Sequence, residues 1–220
     1  MAKIEPFELF PDRYETWFEE NRTVYLSELE AVRYFIPDNG TGMEIGVGSG
    51  QFAVPLEIKI GIEPSSKMRM LARKKGITTI AGIAEALPFR TSRFDFILMT
   101  TTLCFLDDLQ IALKEMQRTL KPHGKLIIGF VDKNSEIGRV YQKRKNKSVF
   151  YQDATFYSTE EVIHDLTDAG FKNFQFVQTL FKPLKSIRTV EPLRTGYGEG
   201  SFVVICAETE HLSKNNFPQK

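Results

Sequence analysis

The sequence predicts an α/β protein: a doubly wound, mostly parallel sheet of seven strands that follows a helical N-terminal segment. Short apolar stretches alternate with helical stretches from Thr41 onward, and parallel strands need crossover connections of that kind. A glycine-rich turn at residues 46–50 follows the first apolar stretch. Of the 220 residues, 42% are hydrophobic, which is enough for one folded core and argues against a disordered chain.

The N-terminal segment, residues 1–40, is predicted to be helical. Aromatic and aliphatic side chains recur there at spacings of three and four. Asn21 is predicted to separate two helices, and a Pro-Asp-Asn-Gly turn at residues 37–40 ends the segment.

The rest of the chain divides into strands and helices in turn. The predicted strands are residues 43–47, 58–63, 78–82, 94–100, 125–131, 173–181 and 201–208. The predicted helices are a short start at 51–56, then 66–75, 109–120 and 159–169. Gly76 ends the second of these helices, and Ser158 with Glu161 forms a capping box before the last.

Charge and composition narrow the range of functions. The 29 basic and 28 acidic residues leave a net charge of +1, so the chain has no global field that would attract a nucleic acid. The longest apolar runs, residues 126–131 and 202–207, are too short to span a membrane, and the N-terminus does not resemble a secretory signal. Three scattered histidines predict no metal site. We therefore expect a cytoplasmic protein that binds neither nucleic acid nor membranes.

The strongest local motif is Glu44-Ile45-Gly46-Val47-Gly48-Ser49-Gly50. Glycines at such a turn allow the backbone to come close to a ligand. A dinucleotide fingerprint would need its third glycine at position 51, where the chain has Gln51, and no Gly-Lys-Ser/Thr of a phosphate-binding loop follows. The motif thus favours a ligand site but weakens a nicotinamide-cofactor interpretation.

A second acidic residue completes the motif. Glu63 ends the second predicted strand, 17 residues after Gly46 (63 − 46). A carboxylate at about this distance is placed to accept hydrogen bonds from the hydroxyls of a ribose. The two signals together predict a nucleoside site at the carboxyl ends of adjacent strands.

A longer ordered set of motifs is similar to the class I S-adenosylmethionine-dependent methyltransferases. The motifs are Glu44-x-Gly46-x-Gly48-x-Gly50, Glu63-Pro64-Ser65, residues 84–89, Phe94-Asp95, and residues 113–115 and 118–124. The chain most resembles the small-molecule branch that includes the ubiquinone and menaquinone biosynthesis enzymes. The resemblance implies a Rossmann-like sheet with one antiparallel strand near the C-terminus. It also implies a helical cover at residues 1–40, a methyltransferase domain at 41–210 and a flexible tail at 211–220.

The resemblance assigns roles to individual residues. Glu44 and the turn that follows would hold the methionine part of S-adenosylmethionine, Glu63 the ribose, and Pro64 and Ala84 the adenine, with Glu85 beside it. Ile83 stands where the family usually has Asp or Asn, which removes one polar contact to the adenine. The complete set of predicted cofactor-binding residues is Glu44, Gly46, Val47, Gly48, Gly50, Glu63, Pro64, Ala84, Glu85, Thr100 and Thr101.

The expected reaction is methyl transfer to a small-molecule acceptor by direct in-line displacement, which needs alignment more than a catalytic dyad. Tyr14, Trp17, Phe18 and Tyr197 are predicted to cover the substrate. No catalytic residue, acceptor atom or oligomeric state can be predicted. Two alternatives stay open: a protein that binds S-adenosylmethionine without transferase activity, and a nicotinamide-dependent oxidoreductase.

Overall fold

The strands form one continuous sheet. In the computed structural model, which describes residues 3–209, the strands are β1 (Gly42–Ile45), β2 (Ile60–Ile62), β3 (Thr78–Ile80), β4 (Phe94–Thr100), β5 (Leu120–Val131), β6 (Phe171–Thr179), β7 (Arg194–Thr195) and β8 (Phe202–Thr209). Their order in the sheet is β3-β2-β1-β4-β5-β8-β6-β7. Each of the seven predicted strands has a counterpart, and β7 makes an eighth within the described part of the chain.

The N-terminal half of the sheet is parallel, as predicted. β1 lies between β2 and β4, β3 extends the sheet beyond β2, and β5 extends it beyond β4. The direction of strand order therefore reverses between β1 and β4. Open α/β sheets bind ligands outside the carboxyl ends of their strands at such a point.

The C-terminal half of the sheet differs from the prediction in one strand. β8 runs antiparallel to β5 and β6, and it is the antiparallel strand that was expected. β7 also runs antiparallel to β6, so two strands rather than one oppose the rest of the sheet. The two residues of β7 have exposed side chains, and a strand this short leaves no alternating pattern in the sequence.

Within residues 3–209 the helices are α1 (Glu5–Leu9), α2 (Pro11–Glu20), α3 (Arg22–Arg33), α4 (Ser66–Lys74), α5 (Leu109–Thr119), α6 (Glu136–Arg144) and α7 (Thr159–Asp168). Asn21 separates α2 from α3, as predicted. The capping box before α7 is confirmed, because Ser158 Oγ accepts from the Glu161 N–H while the Glu161 carboxylate accepts from the Ser158 N–H. None of the helices in this range is long and apolar enough to cross a membrane.

The predicted helix start at residues 51–56 is wrong, because this segment forms consecutive turns. Pro55 has no N–H to donate to the Gln51 carbonyl, and the Tyr25 hydroxyl donates to that carbonyl instead, at 2.6 Å. The Ala53 N–H donates to the carboxylate of Glu44. Sites for a dinucleotide pyrophosphate have a helix N-terminus directly after the glycine turn. In residues 3–209 no helix begins directly after this turn.

Both faces of the sheet are buried. Alternate residues of β5 point to opposite sides: Leu126 and Ile128 join one apolar cluster, and Ile127 joins the other. Leu29 and Val32 of α3 pack in the second cluster, so α3 contributes to the core of the sheet. This arrangement confirms the doubly wound architecture. The division of the chain at residue 40 stays a prediction, and the predicted tail at 211–220 lies outside the described residues.

Candidate active site

A cavity of about 1080 Å³ lies at the carboxyl ends of β1, β2 and β4, where the strand order reverses. Side chains of α1, α2, α3 and α6 line its other sides. Pockets for one small molecule typically measure roughly 300–1,000 Å³. The cavity therefore has room for a cofactor and a small second ligand.

The glycine turn forms one wall of the cavity. Gly46 and Gly48 have φ angles of +66° and +54°, which side-chain-bearing residues rarely adopt. A Cβ on Gly46 would overlap the side chain of Thr102, and one on Gly48 would lie 2.9 Å from the Tyr14 hydroxyl oxygen. Neither position can therefore carry a side chain without displacing the residues around the cavity.

Glu63 lies beside this turn and is almost fully buried. Its Oε2 accepts a hydrogen bond from the Gly48 N–H at 2.9 Å, and its Oε1 accepts one from the Ser65 N–H at 2.8 Å. Burial raises the pKa of Glu63, although these two hydrogen bonds and the charge of Arg69 oppose the rise. Each carboxylate oxygen keeps a second lone pair, so Glu63 can still accept hydrogen bonds from a ligand.

Glu44 occupies a different place from the one predicted. It lies under the turn, buried, and does not line the cavity. Its carboxylate accepts from the Ala53 N–H, while its Oε2 has no hydrogen-bond partner among residues 3–209. Burial, together with the charge of Glu63, raises the pKa of Glu44 well above its ordinary value. Glu44 therefore lies behind the turn in this structure, and its predicted contact with the methionine part of the cofactor stays a prediction.

The structure brings most of the predicted cofactor-binding residues to the cavity. Those that line it are Gly46, Gly48, Glu63, Pro64, Ala84, Glu85 and Thr101. Those that lie outside its lining are Glu44, Val47, Gly50 and Thr100. Val47 packs beside Gly61 of β2, and Thr100 is buried with no hydrogen-bond partner for its hydroxyl in the described chain.

The segment that follows β3 supplies an apolar wall and one carboxylate. Ile83 and Ala84 both line the cavity. Glu85 also lines it, but its Oε1 accepts from the Asp107 N–H at 2.8 Å and from the Asp108 N–H at 3.3 Å. One oxygen of Glu85 is thus engaged in holding the loop that leads into α5.

Three of the four predicted cover residues, Tyr14, Trp17 and Phe18, line the cavity from α2. Glu15 on the same helix ties α2 to the glycine turn: it accepts hydrogen bonds from the Ser49 hydroxyl and, at 3.0 Å, from the Gln51 amide. Lys75 adds an ion pair to Glu15 at 2.8 Å.

The fourth predicted cover residue, Tyr197, lies away from the cavity, and its role as a cover stays a prediction. Its ring packs against Phe176 of β6, with ring centroids 5.0 Å apart, and it does not line the cavity. The loop that carries Tyr197 follows β7, which lies at the far edge of the sheet from β1 and β2.

Sequence reasoning missed several residues of the cavity, and Glu28 is the most unusual of them. Glu28 on α3 is 4% exposed and lines the cavity. Burial raises its pKa from 4.5 to about 8. It lies four residues after Val24 and four before Val32, on the apolar stripe of α3. A carboxylate on the buried face of an amphipathic helix was the signal that could have found it.

Other missed lining residues come from segments far apart in the sequence. Thr102 and Phe105 follow β4, and Tyr141 lies on α6. Lys143 and Arg144, in the basic run of residues 143–147, are exposed and also line the cavity. Such residues carry no shared motif, because only the fold brings them together.

Cys104 is not a nucleophile in this structure. It follows β4, near the cavity, and burial raises its pKa to about 12. A thiol with such a pKa is protonated at neutral pH and reacts slowly. Cys104 therefore acts as a packing residue beside the cavity.

Comparisons with known proteins agree with this geometry. The family described as "Methyltransferase domain" matches residues 43–128. An S-adenosylmethionine-dependent methyltransferase of Thermotoga maritima, described as a possible histamine N-methyltransferase, is 52% identical. The match covers 94% of this chain and 100% of that one, with a TM-score of 0.92. The uncharacterized protein MJ1123 of Methanocaldococcus jannaschii is 46% identical over 92% of this chain and 98% of its own length.

A more distant relative belongs to the branch that the motifs indicated. The demethylmenaquinone methyltransferase of Renibacterium salmoninarum is 35% identical over 40% of this chain and 36% of its own length. The predicted resemblance is thereby confirmed. Since the Thermotoga methyltransferase is 52% identical and the match covers nearly the whole of both chains, this chain belongs to the S-adenosylmethionine-dependent methyltransferases.

Proposed function

We propose that this enzyme transfers the methyl group of S-adenosylmethionine to a small-molecule acceptor that binds in the same cavity. The observation that carries the proposal is the lining of that cavity. Backbone groups of the glycine turn and Glu63 line the cavity together with aromatic side chains from the cover and from the segment after β5, so it offers both a polar cradle and an apolar space. The names of the Thermotoga and Renibacterium relatives, which refer to small acceptors, support it as well.

The residues of this polar cradle suit the cofactor. Glu63 has lone pairs available for the two ribose hydroxyls, and the glycine turn leaves space for the methionine part. Ile62, Pro64 and Ile83 form apolar surface of the kind that an adenine ring needs. When bound, the cofactor supplies a methyl group on a positively charged sulfur, which is already electrophilic.

The rest of the cavity has to orient an acceptor and exclude water. Orientation alone can remove about 7–11 kcal/mol from the barrier of a two-reactant step. α2 is fixed over the turn by Glu15, which keeps Tyr14, Trp17 and Phe18 close to the place of transfer. We propose these three aromatic residues as the substrate cover and keep the predicted limits of the cover, residues 1–40, as part of the proposal. The predicted cytoplasmic location also stays a prediction.

Two measurements test this function. Calorimetric titration should detect binding of S-adenosylmethionine and its demethylated product, and no binding of NAD. Incubation with a methyl-labelled donor and a low-molecular-mass extract should then label a small molecule. Binding without any labelled product would favour the alternative of a binding protein, and label found only in protein or RNA would refute the small-molecule acceptor.

A further inference from the structure

Glu28 is a buried carboxylate that the fold leaves without a partner. Only 4% of the residue is exposed, and that face borders the cavity. Among residues 3–209, no side chain or backbone group makes a hydrogen bond or an ion pair with its carboxylate. Burying such a group costs several kcal/mol unless something pairs with it. A ligand in the cavity is the partner that the geometry makes available.

The surroundings of Glu28 suit a cation. Tyr141 and Tyr151 line the cavity and stack with ring centroids 5.2 Å apart, and Tyr151 stacks on Phe105 at 6.0 Å. The faces of aromatic rings attract ammonium groups, and desolvation strengthens the attraction. A carboxylate beside aromatic walls is therefore a site for a cationic group with an attached apolar or aromatic body.

Glu28 is separate from the cofactor side of the cavity. It interacts electrostatically with Tyr141 and Tyr151, which both follow β5, whereas Glu63 ends β2. Two strands, β1 and β4, lie between β2 and β5, and at about 4.8 Å per step their ends are roughly 14 Å apart. Tyr14 lies between the two, since it interacts with both carboxylates. Glu63 and Glu28 thus lie on different elements, with Tyr14 between them, and we assign them to different ligands as part of the proposal below.

We propose that Glu28 binds a protonated amine of the methyl acceptor, so that the substrates of this enzyme are small primary or secondary amines. The proposal rests on the proposed function, because it assumes that the acceptor shares the cavity with the cofactor. It assigns the nitrogen as the methylated atom and names Glu28 as the group that holds and deprotonates it.

The chemistry balances with Glu28 as the proton acceptor. The bound ammonium gives one proton to the carboxylate, which becomes a neutral carboxylic acid, and the nitrogen regains its lone pair. That lone pair forms the new nitrogen–carbon bond while the carbon–sulfur bond of the donor breaks and its electrons stay on sulfur. The methylated nitrogen leaves as an ammonium ion, and Glu28 returns its proton to water.

Four tyrosines interact electrostatically with Glu28: Tyr14, Tyr25, Tyr141 and Tyr151. Basic side chains also line the cavity, namely Lys3, Arg13, Lys143, Arg144 and Lys147, and none of them forms an ion pair with Glu28 within residues 3–209. Burial raises the pKa of each tyrosine, so the four are neutral near pH 7 and do not compensate the carboxylate. Burial also raises the pKa of Glu28 to about 8. Amine binding should therefore strengthen as the pH rises toward 8, because the carboxylate form becomes more populated, until the amine itself loses its proton.

The test compares two variants, Glu28→Gln and the control Glu30→Gln. Glu30 is an exposed glutamate on the same helix. Each protein is incubated with methyl-labelled donor and a low-molecular-mass extract, the unreacted donor, itself a cation, is removed by reversed-phase chromatography, and the labelled products are then separated by cation exchange at neutral pH. We expect label in the cationic fraction for the unmodified enzyme and for Glu30→Gln, and at least about tenfold less for Glu28→Gln. Label only in neutral or anionic fractions, or undiminished cationic label with Glu28→Gln, would overturn the proposal.

A binding measurement separates this proposal from the proposed function. Enzyme saturated with S-adenosylhomocysteine is titrated with 2-phenylethylamine and with 2-phenylethanol, which lacks the charge. We expect the amine to bind at least about tenfold tighter than the alcohol, and Glu28→Gln to lose that preference while its affinity for S-adenosylhomocysteine is unchanged. Equal binding of the two compounds by the unmodified enzyme would refute the amine site alone. Absence of S-adenosylhomocysteine binding would instead refute the proposed function.

Discussion

The two carboxylates of the cavity, Glu63 and Glu28, are held in opposite ways. Backbone N–H groups of Gly48 and Ser65 donate to the oxygens of Glu63, so its orientation is fixed before a ligand arrives. No hydrogen bond or ion pair to Glu28 comes from residues 3–209, and its pKa rises to about 8. The difference supports our proposal that Glu63 is prearranged for the cofactor, whereas Glu28 gains a charged partner only when an acceptor binds.

The largest effect is expected for Gly48→Val on the cofactor side. The new side chain would collide with the Tyr14 hydroxyl, and valine would be strained at the φ of +54° that Gly48 adopts. Affinity for S-adenosylmethionine, measured by calorimetry, should fall at least about 1,000-fold. Gly76→Val is the control, because Gly76 also has a positive φ but meets nothing within 4 Å. An unchanged affinity of Gly48→Val would mean that the turn does not contact the cofactor.

On the other side of the cavity, Glu28→Gln should stabilise the empty protein. The pKa of Glu28 rises from 4.5 to about 8 on folding, so its ionisation disfavours the folded state. The resulting loss of stability becomes larger as the pH rises from about 4.5 to 8. Urea unfolding should therefore give Glu28→Gln about 3 kcal/mol more stability than the unmodified chain at neutral pH, and no advantage at pH 4. A variant that is less stable at pH 7 would indicate that Glu28 has a partner in the folded protein.

Glu63→Gln tests the prearranged carboxylate. The amide group would place N–H donors against the N–H of Gly48 or Ser65 and would lose one acceptor for the ribose. We expect the affinity for S-adenosylhomocysteine to fall about 10- to 30-fold, while Glu57→Gln, an exposed site near the turn, has no effect. If Glu63→Gln weakened amine binding instead, the assignment of the two sides would be reversed.

The smallest effect concerns Glu15, which joins the cover to the glycine turn. Partial burial would raise its pKa, but hydrogen bonds from Lys75, Ser49 and Gln51 outweigh this and lower it. The stabilisation is thus present above the ordinary pKa and is lost as the pH falls through the lowered one. Glu15→Gln should cost about 1 kcal/mol at pH 7, and the cost should shrink as the pH falls below 4.5, as urea unfolding would measure. Glu19→Gln on the same helix is exposed and should have no effect.

The cofactor side could be predicted from the sequence because its parts are local. The glycine turn and Glu63 each end a strand, and parallel strands bring those ends together. The predictions differ from the structure where a proline interrupts a helix pattern and where a distant residue decides the local structure. Pro55 and the Tyr25 hydroxyl replace the expected helix after the turn, and the edge position of β7 takes Tyr197 away from the cavity.

The acceptor side could not be predicted in the same way. Its residues come from α3, from the loop after β4 and from the segment after β5, and only the packing of α3 on the sheet brings them together. Glu28 gave one local sign, a charge on an apolar stripe, which is also compatible with a paired core residue. Only the three-dimensional structure reveals that no protein group within residues 3–209 pairs with it.

A crystal structure with S-adenosylhomocysteine bound is the most direct test of the central claim that the cavity has a cofactor side and an acceptor side. Our account predicts the ribose hydroxyls on the carboxylate of Glu63, the sulfur directed toward the aromatic cover, and free space beside Glu28. Adenosine bound against Glu28, or a ligand that leaves Glu63 without a contact, would contradict it.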